Sequence, residues 1–202
     1  MSAAEPPQRP EDALAVLAAL LREEGPVVAG HVAEPADAPA FGLLVAAGPR
    51  CAADPGAYAT VVELVREGYL CHYREPRLLA SLDPDLRLLV GDHLYAHGIE
   101  RLARLGDLLA VAELADLIST AAQIDASPSI DSGAAEIAWL AATIAIAAGP
   151  GSGHEEAKAA LRAGGDPRPL WQATREQADR TGLSELLSGA CKAVGFAPPN
   201  RG

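Results

Sequence analysis

Two histidines four residues apart are the first side chains in this sequence that could do chemistry. His93 and His97 have Asp92 and Glu100 close by. On a helix that spacing puts both imidazoles on one face, where they can share a divalent cation. A metal centre usually takes a third protein ligand, and no HExxH pattern supplies one, so no metal or other cofactor is assigned and His93 and His97 stand only as the nearest candidates. Cys71 and His72 are adjacent, which on a helix turns their side chains about 100° apart and makes no nucleophile–base pair. GxSxG is absent. GPGSGHEEAK at 149–158 has the glycines of a phosphate-cradling loop. It lacks the GKS or GKT ending and a preceding strand, and Ser152 with Glu155 has the spacing of a capping box, so a helix-to-helix connection is expected. Glu23–Glu24 and Glu155–Glu156 read as solvated helix ends. Trp139 and Trp171 read as core or interface anchors.

The elements that must carry these residues are helices. Half of the 202 residues are apolar, only 4% are aromatic, and Ala and Leu dominate. Small side chains let helices approach closely, and no long run alternates polar with β-branched residues. The expected fold class is all-α, a single-domain helical bundle over residues 11–195 with loose tails at 1–10 and 196–202, and about eight or nine helices joined by short loops. Asp-Pro pairs at 54–55, 83–84 and 166–167 start helices, because aspartate caps free backbone N–H groups and proline loses nothing at the next position. Helices are expected at about 11–24, 39–47, 56–73, 84–105, 108–125, 134–148, to 163, 167–181 and 183–194. Val27–Val28 is read as part of an irregular connection, with a short extended piece as the alternative, and 127–133 as a loop. The helix over 108–125 presents Val111, Leu114, Ala115, Ile118 and Ala122 as its apolar stripe. The helix over 134–148 is apolar nearly all round, which places it centrally.

A formal charge of −11 with scattered basic residues argues against nucleic acid and against an anionic membrane surface. The longest apolar run, Ile137–Ala148, is too short to span a bilayer. Three widely spaced cysteines, Cys51, Cys71 and Cys191, fit buried thiols in a reducing cytoplasm better than a disulfide framework or a zinc site.

One stretch has more specific order. ELVREGYLCH at 63–72 resembles the helix of trans-isoprenyl (polyprenyl) diphosphate synthases that reads EL(I/V)HxxxLxHDD, with Glu63, Leu64, Val65, Leu70 and His72 in register. Leu89-Val90-Gly91-Asp92 followed by Leu94-Tyr95-Ala96 is similar to that family's LxGDxLxxxA helix, and ADLISTAAQIDA at 115–126 to its GQxxD helix, with Gln123 in place. The resemblance covers about Pro39 to Asp125 and implies the isoprenoid synthase fold. It also implies two facing DDxxD motifs whose carboxylates hold Mg²⁺ against a substrate diphosphate, with cations from GKxxRP and RRG segments. The sequence departs from that inventory. Tyr73 and Arg74 stand where the first two aspartates would be, Arg77 falls about where the third would be, and no Asp-Asp pair, RRG triplet or cation between Arg22 and Arg50 occurs.

The expectation is therefore a degenerate relative of that family. Its first form is a non-catalytic subunit in isoprenoid biosynthesis, a homodimer or a heterodimer with an active prenyl diphosphate synthase. A second form is a stand-alone binder of an isoprenoid or other apolar ligand, in a cavity lined by small residues such as Gly68 and Ala96. A third is an enzyme with a new polar site made from Arg74, Glu75 and Arg77.

Overall fold

Aspartate, proline and glycine set the helix boundaries in the structure, a computed structural model that describes residues 9–127 and 133–197. The described chain is all-α: α1 (Ala13–Glu23), α2 (Pro26–Ala29), α3 (Ala40–Ala46), α4 (Pro55–Tyr73), α5 (Pro84–Leu105), α6 (Leu108–Asp125), α7 (Ala134–Ala148), α8 (His154–Arg162), α9 (Arg168–Thr181) and α10 (Ser184–Ala193). The helical bundle expected from composition is what forms, with no strand among the described residues. No helix among them is long and apolar enough to cross a membrane.

Asp54 caps α4 by accepting from Ala57 N–H, and Asp83 caps α5 by accepting from Asp85 and Leu86. The Asp166 carboxylate accepts from Arg168 N–H at the start of α9. Gly106 ends α5 in the left-handed conformation at φ 73°, which costs a glycine nothing.

Three expectations are corrected. Val27–Val28 lies in a single helical turn, α2, because Pro26 opens it and Gly25 (φ 107°) redirects the chain out of α1. The Ser152–Glu155 capping box does not form: Gly153, left-handed at φ 75°, is the residue before α8, and no side chain caps it. The buried face of α6 is rotated from the expected stripe and consists of Ala110, Glu113, Leu114, Leu117, Thr120, Ala121 and Ile124. Only Leu114 is common to both, because Glu113 finds a partner that lets it be buried. The tails expected at 1–10 and 196–202 and the loop at 127–133 lie largely outside the described residues, although Pro10–Asp12 forms a 3-10 turn.

Backbone packing groups the described residues into two compact units: those up to Ala46 together with Asp54–Asp107, and Ala47–Ala53 together with those from Leu108 onward. In the first unit α4 is surrounded by α1, α3 and α5. Leu14, Leu17, Ala18 and Leu21 of α1 pack on Leu64 and Cys71 of α4, with Val90 and Leu94 of α5 and Leu78–Leu79 closing the cluster. α5 runs antiparallel to α4 at close range: a side chain at Gly98 would meet Val65, and one at Gly91 would meet His72. In the second unit α7 is central, contacted by α6, α9, α10 and the 3-10 turn Pro49–Cys51. The free carbonyls at its C-terminal end, Ala148 and Gly149, accept from the Gln177 amide of α9.

Candidate functional site

The region that resembles the synthases is the C-terminal half of α4, the following segment and the middle of α5. Its most buried charges are Glu63 and Glu67, both 0% exposed. Spaced by four, they lie on one face of α4, the face that meets Arg77. Arg77 Nη1 stands 2.8 Å from Glu63 Oε2, and Arg77 Nε donates to Glu67 Oε2 at 2.9 Å. Glu67 Oε1 also accepts the backbone N–H groups of Arg77 and Leu78 at 2.7 and 2.8 Å. Glu63 Oε1 accepts Gly42 N–H at 2.8 Å, one of the free amides in the first turn of α3. Burial works against the guanidinium charge of Arg77, but the two carboxylates outweigh it and raise its pKa. On its other side the 78–80 segment pairs with 31–33: Ala33 N–H donates to Leu78 O, and Ala80 N–H to His31 O, both at 2.9 Å. The arrangement is a latch that fixes the chain after α4.

The remaining first-motif positions serve packing. His72 stacks on Tyr95 with ring centroids 5.2 Å apart, and its Nε2 lies 3.1 Å from the exposed Asp92 carboxylate. Gly91 is where α5 passes His72, since a Cβ there would come within 2.7 Å of the imidazole. Tyr73 tilts against Tyr69, and the Arg74 guanidinium lies 5.6 Å from the Tyr69 ring. Glu75 is exposed and, among the described residues, pairs with Arg87 at 3.7 Å. Arg74, Glu75 and Arg77 therefore do not converge on one polar site. Of the small residues expected to line a ligand cavity, Gly68 faces the Tyr95 ring at contact distance and Ala96 is exposed. Gln123 is exposed on α6. The Cys71 thiol is buried and its pKa is pushed up to about 12, by burial first and then by Glu67, so it is no nucleophile. None of the three buried cysteines forms a disulfide.

Two clusters had no complete signal in the sequence. The first joins α1 to α5: Glu24 Oε1 lies 2.9 Å from His93 Nε2, and the His93 and His97 rings are 4.3 Å apart. Donor atoms of all three residues lie within 4.8 Å of one another. The histidine spacing was visible, but Glu24 reaches them only through the fold. The second lies in the other unit. Glu113 of α6 accepts from Lys158 of α8 at 2.9 Å and sits 3.3 Å from His154 Nε2. Burial opposes the Glu113 charge, yet the hydrogen bonds from His154 and Lys158 hold its carboxyl below the ordinary range. Burial likewise opposes the Lys158 charge, and its carboxylate partners raise its pKa. Glu113, Thr120, His154 and Lys158 edge a recess of about 10 Å³ floored by Ala138, Ala141 and Ala142 of α7. That volume is about one water molecule, too small for a substrate.

Comparison with protein-family models, with curated proteins and with solved structures finds no match to this chain. The Mg²⁺ that the resemblance implies is judged on its ligands. A phenol at Tyr73 and guanidinium groups at Arg74 and Arg77 offer no carboxylate oxygens, which are the donors that ion takes. Those residues do not fit it.

Proposed function

We propose that this chain is a non-catalytic, polyprenyl-synthase-like subunit, a cytoplasmic protein that pairs with an active prenyl diphosphate synthase and acts in isoprenoid biosynthesis through that partner. The observation that carries the reading is what occupies the first-motif positions. Arg77 is engaged in neutralising Glu63 and Glu67, while Tyr73 and Arg74 pack against Tyr69. Prenyl transfer requires cations to draw charge from a departing diphosphate, and carboxylates to hold those cations. Tyr73, Arg74 and Arg77 bring no carboxylate oxygens with which to hold those cations. A partner role is supported by Leu88 and Leu89, exposed at 46% and 66% on α5, apolar surface of the kind that association covers. The buried thiols suit a reducing compartment.

Co-expression with an active prenyl diphosphate synthase tests the proposal. A stable complex by size-exclusion chromatography, with an altered product length, is the expected result; a free monomer that leaves the product unchanged would overturn it. Incubated alone with isopentenyl and farnesyl diphosphates and Mg²⁺, the chain should give no elongated product, and elongation would end the non-catalytic reading.

A further inference from the structure

We infer that Glu24, His93 and His97 form a binding site for a borderline divalent cation of the zinc class, one that clips the end of α1 to the middle of α5. This is independent of the prenyl-synthase reading, since it uses none of the positions that carry the resemblance.

Three observations carry it. First, the donors are of the right kind and number: two imidazoles and one carboxylate, drawn from two helices. Imidazole nitrogen selects zinc, cobalt, nickel or copper over magnesium or calcium. Three protein ligands leave a fourth position for water or an incoming group.

Second, the geometry is within reach of coordination. With metal–ligand distances of about 2.1 Å, neighbouring donors of a tetrahedral site stand about 3.4 Å apart. The three donors already lie within 4.8 Å of one another, and the Glu24–His93 pair, at 2.9 Å, needs to open by only a fraction of an ångström. The residues are partly exposed, so an ion has an entry path.

Third, the second cluster of similar composition shows what a site closed to metal looks like. Glu113, His154 and Glu155 also bring their donors within 4.8 Å. There the Lys158 ammonium already lies among them, 2.9 Å from Glu113 and 3.2 Å from Glu155, and supplies the positive charge. At Glu24, His93 and His97 no Lys or Arg among the described residues stands between the donors, and the ion pair there joins Glu24 to His93 itself.

The test is titration of chelator-treated protein with Zn²⁺ by calorimetry and with Co²⁺ by visible absorption, beside thermal unfolding. The expected result is binding of a single equivalent, cobalt ligand-field bands and a Tm that rises with Zn²⁺. In H93A/H97A the affinity should fall by more than about tenfold, since loss of even an outer-shell partner costs a site about 10–100-fold, and the Tm rise should vanish. His31, His72 and His154 remain in that variant and serve as its internal control. Glu24→Gln should weaken Zn²⁺ binding and shrink the Zn²⁺-dependent rise in Tm, and it keeps the test decisive if the double variant folds poorly. Wild-type protein that takes up no Zn²⁺ would overturn the inference, and so would a double variant that binds as tightly as wild type.

Discussion

α4 and α7 are each the central helix of their own unit, and they reach burial by opposite means. In α7 every residue from Ala134 to Ala147 is buried except Glu136, and the one buried hydroxyl, Thr143, donates to Trp139 O at 2.8 Å. Transfer of hydrocarbon from water is sufficient to place such a helix. In α4 the buried run Gly56–Cys71 includes Glu63, Arg66 and Glu67. Charges are placed there only because each is answered: the carboxylates by Arg77 and three backbone amides, and Arg66 by the faces of Phe41 and Tyr69 at 4.9 and 5.0 Å. The difference teaches that the two cores fail differently. α7 should tolerate loss of a methyl group; α4 should not tolerate loss of a partner.

The sharpest way to break this contrast is Arg77→Ala. It leaves two carboxylates buried without counter-charge, and removing one partner of a buried ion pair costs about 3–5 kcal/mol. Ile144→Val in α7 should cost only about 0.5–1.5 kcal/mol. Urea unfolding followed by far-UV circular dichroism measures both. Similar losses for the two variants would mean that Arg77 is not what holds Glu63 and Glu67 in place.

The same logic applies to Glu113, a buried charge beside α7. Glu113→Gln removes a carboxylate that Lys158 and His154 hold, and hydrogen bonds to charged groups are worth about 1.5–3 kcal/mol. The folded-state pKa of Glu113 lies below its ordinary value of 4.5. Its contribution is therefore present above that value and lost as pH falls through the folded value. Lys158 is shifted up from 10.5, so its contribution is present below that pH and lost as pH rises through the folded value. Wild type should lose stability at both ends, and E113Q should lose most of the acid-side dependence. An acid limb unchanged in E113Q, read from urea midpoints across pH, would assign that limb to other carboxylates.

What could be read in advance follows from the same contrast. The bounds of α5, α6 and α7 were legible because Asp, Pro and Gly mark their ends and because an apolar helix announces its burial. The interior of α4 was not: the sequence offers no reason to bury Glu63, Arg66 and Glu67 until Arg77, beyond the end of the helix, is placed against the two carboxylates. Glu113 misled in the same way and rotated the expected face of α6, since its partners His154 and Lys158 lie two helices on. Ser152 and Glu155 had the right spacing for a capping box, but a left-handed Gly153 intervenes. Of the site residues, the histidine pair was visible and Glu24 was not, because only the packing of α1 beside α5 brings it there.

Glycines sharpen the comparison further. Gly98 lets α5 lie against α4, and a Cβ there would stand 2.5 Å from Val65 Cγ2. Gly98→Ala should cost about 1–3 kcal/mol by overpacking, less the gain in helix propensity. A cost near zero by thermal unfolding would show that α5 can lift away from α4.

Gly189 on α10 is the control with the opposite sign. It is exposed, and nothing lies within 4 Å of where its Cβ would be. Gly189→Ala therefore changes only the backbone's freedom, and an alanine in a helix interior is favoured over glycine by about 0.8–1.0 kcal/mol. The expected outcome is a small rise in Tm. Chemically the substitution is the same as Gly98→Ala, so a difference in sign between them isolates the contact with Val65 from helix propensity. If both variants destabilise, propensity is not being expressed in this fold, and the cost at Gly98 could no longer be credited to the close approach of α4 and α5.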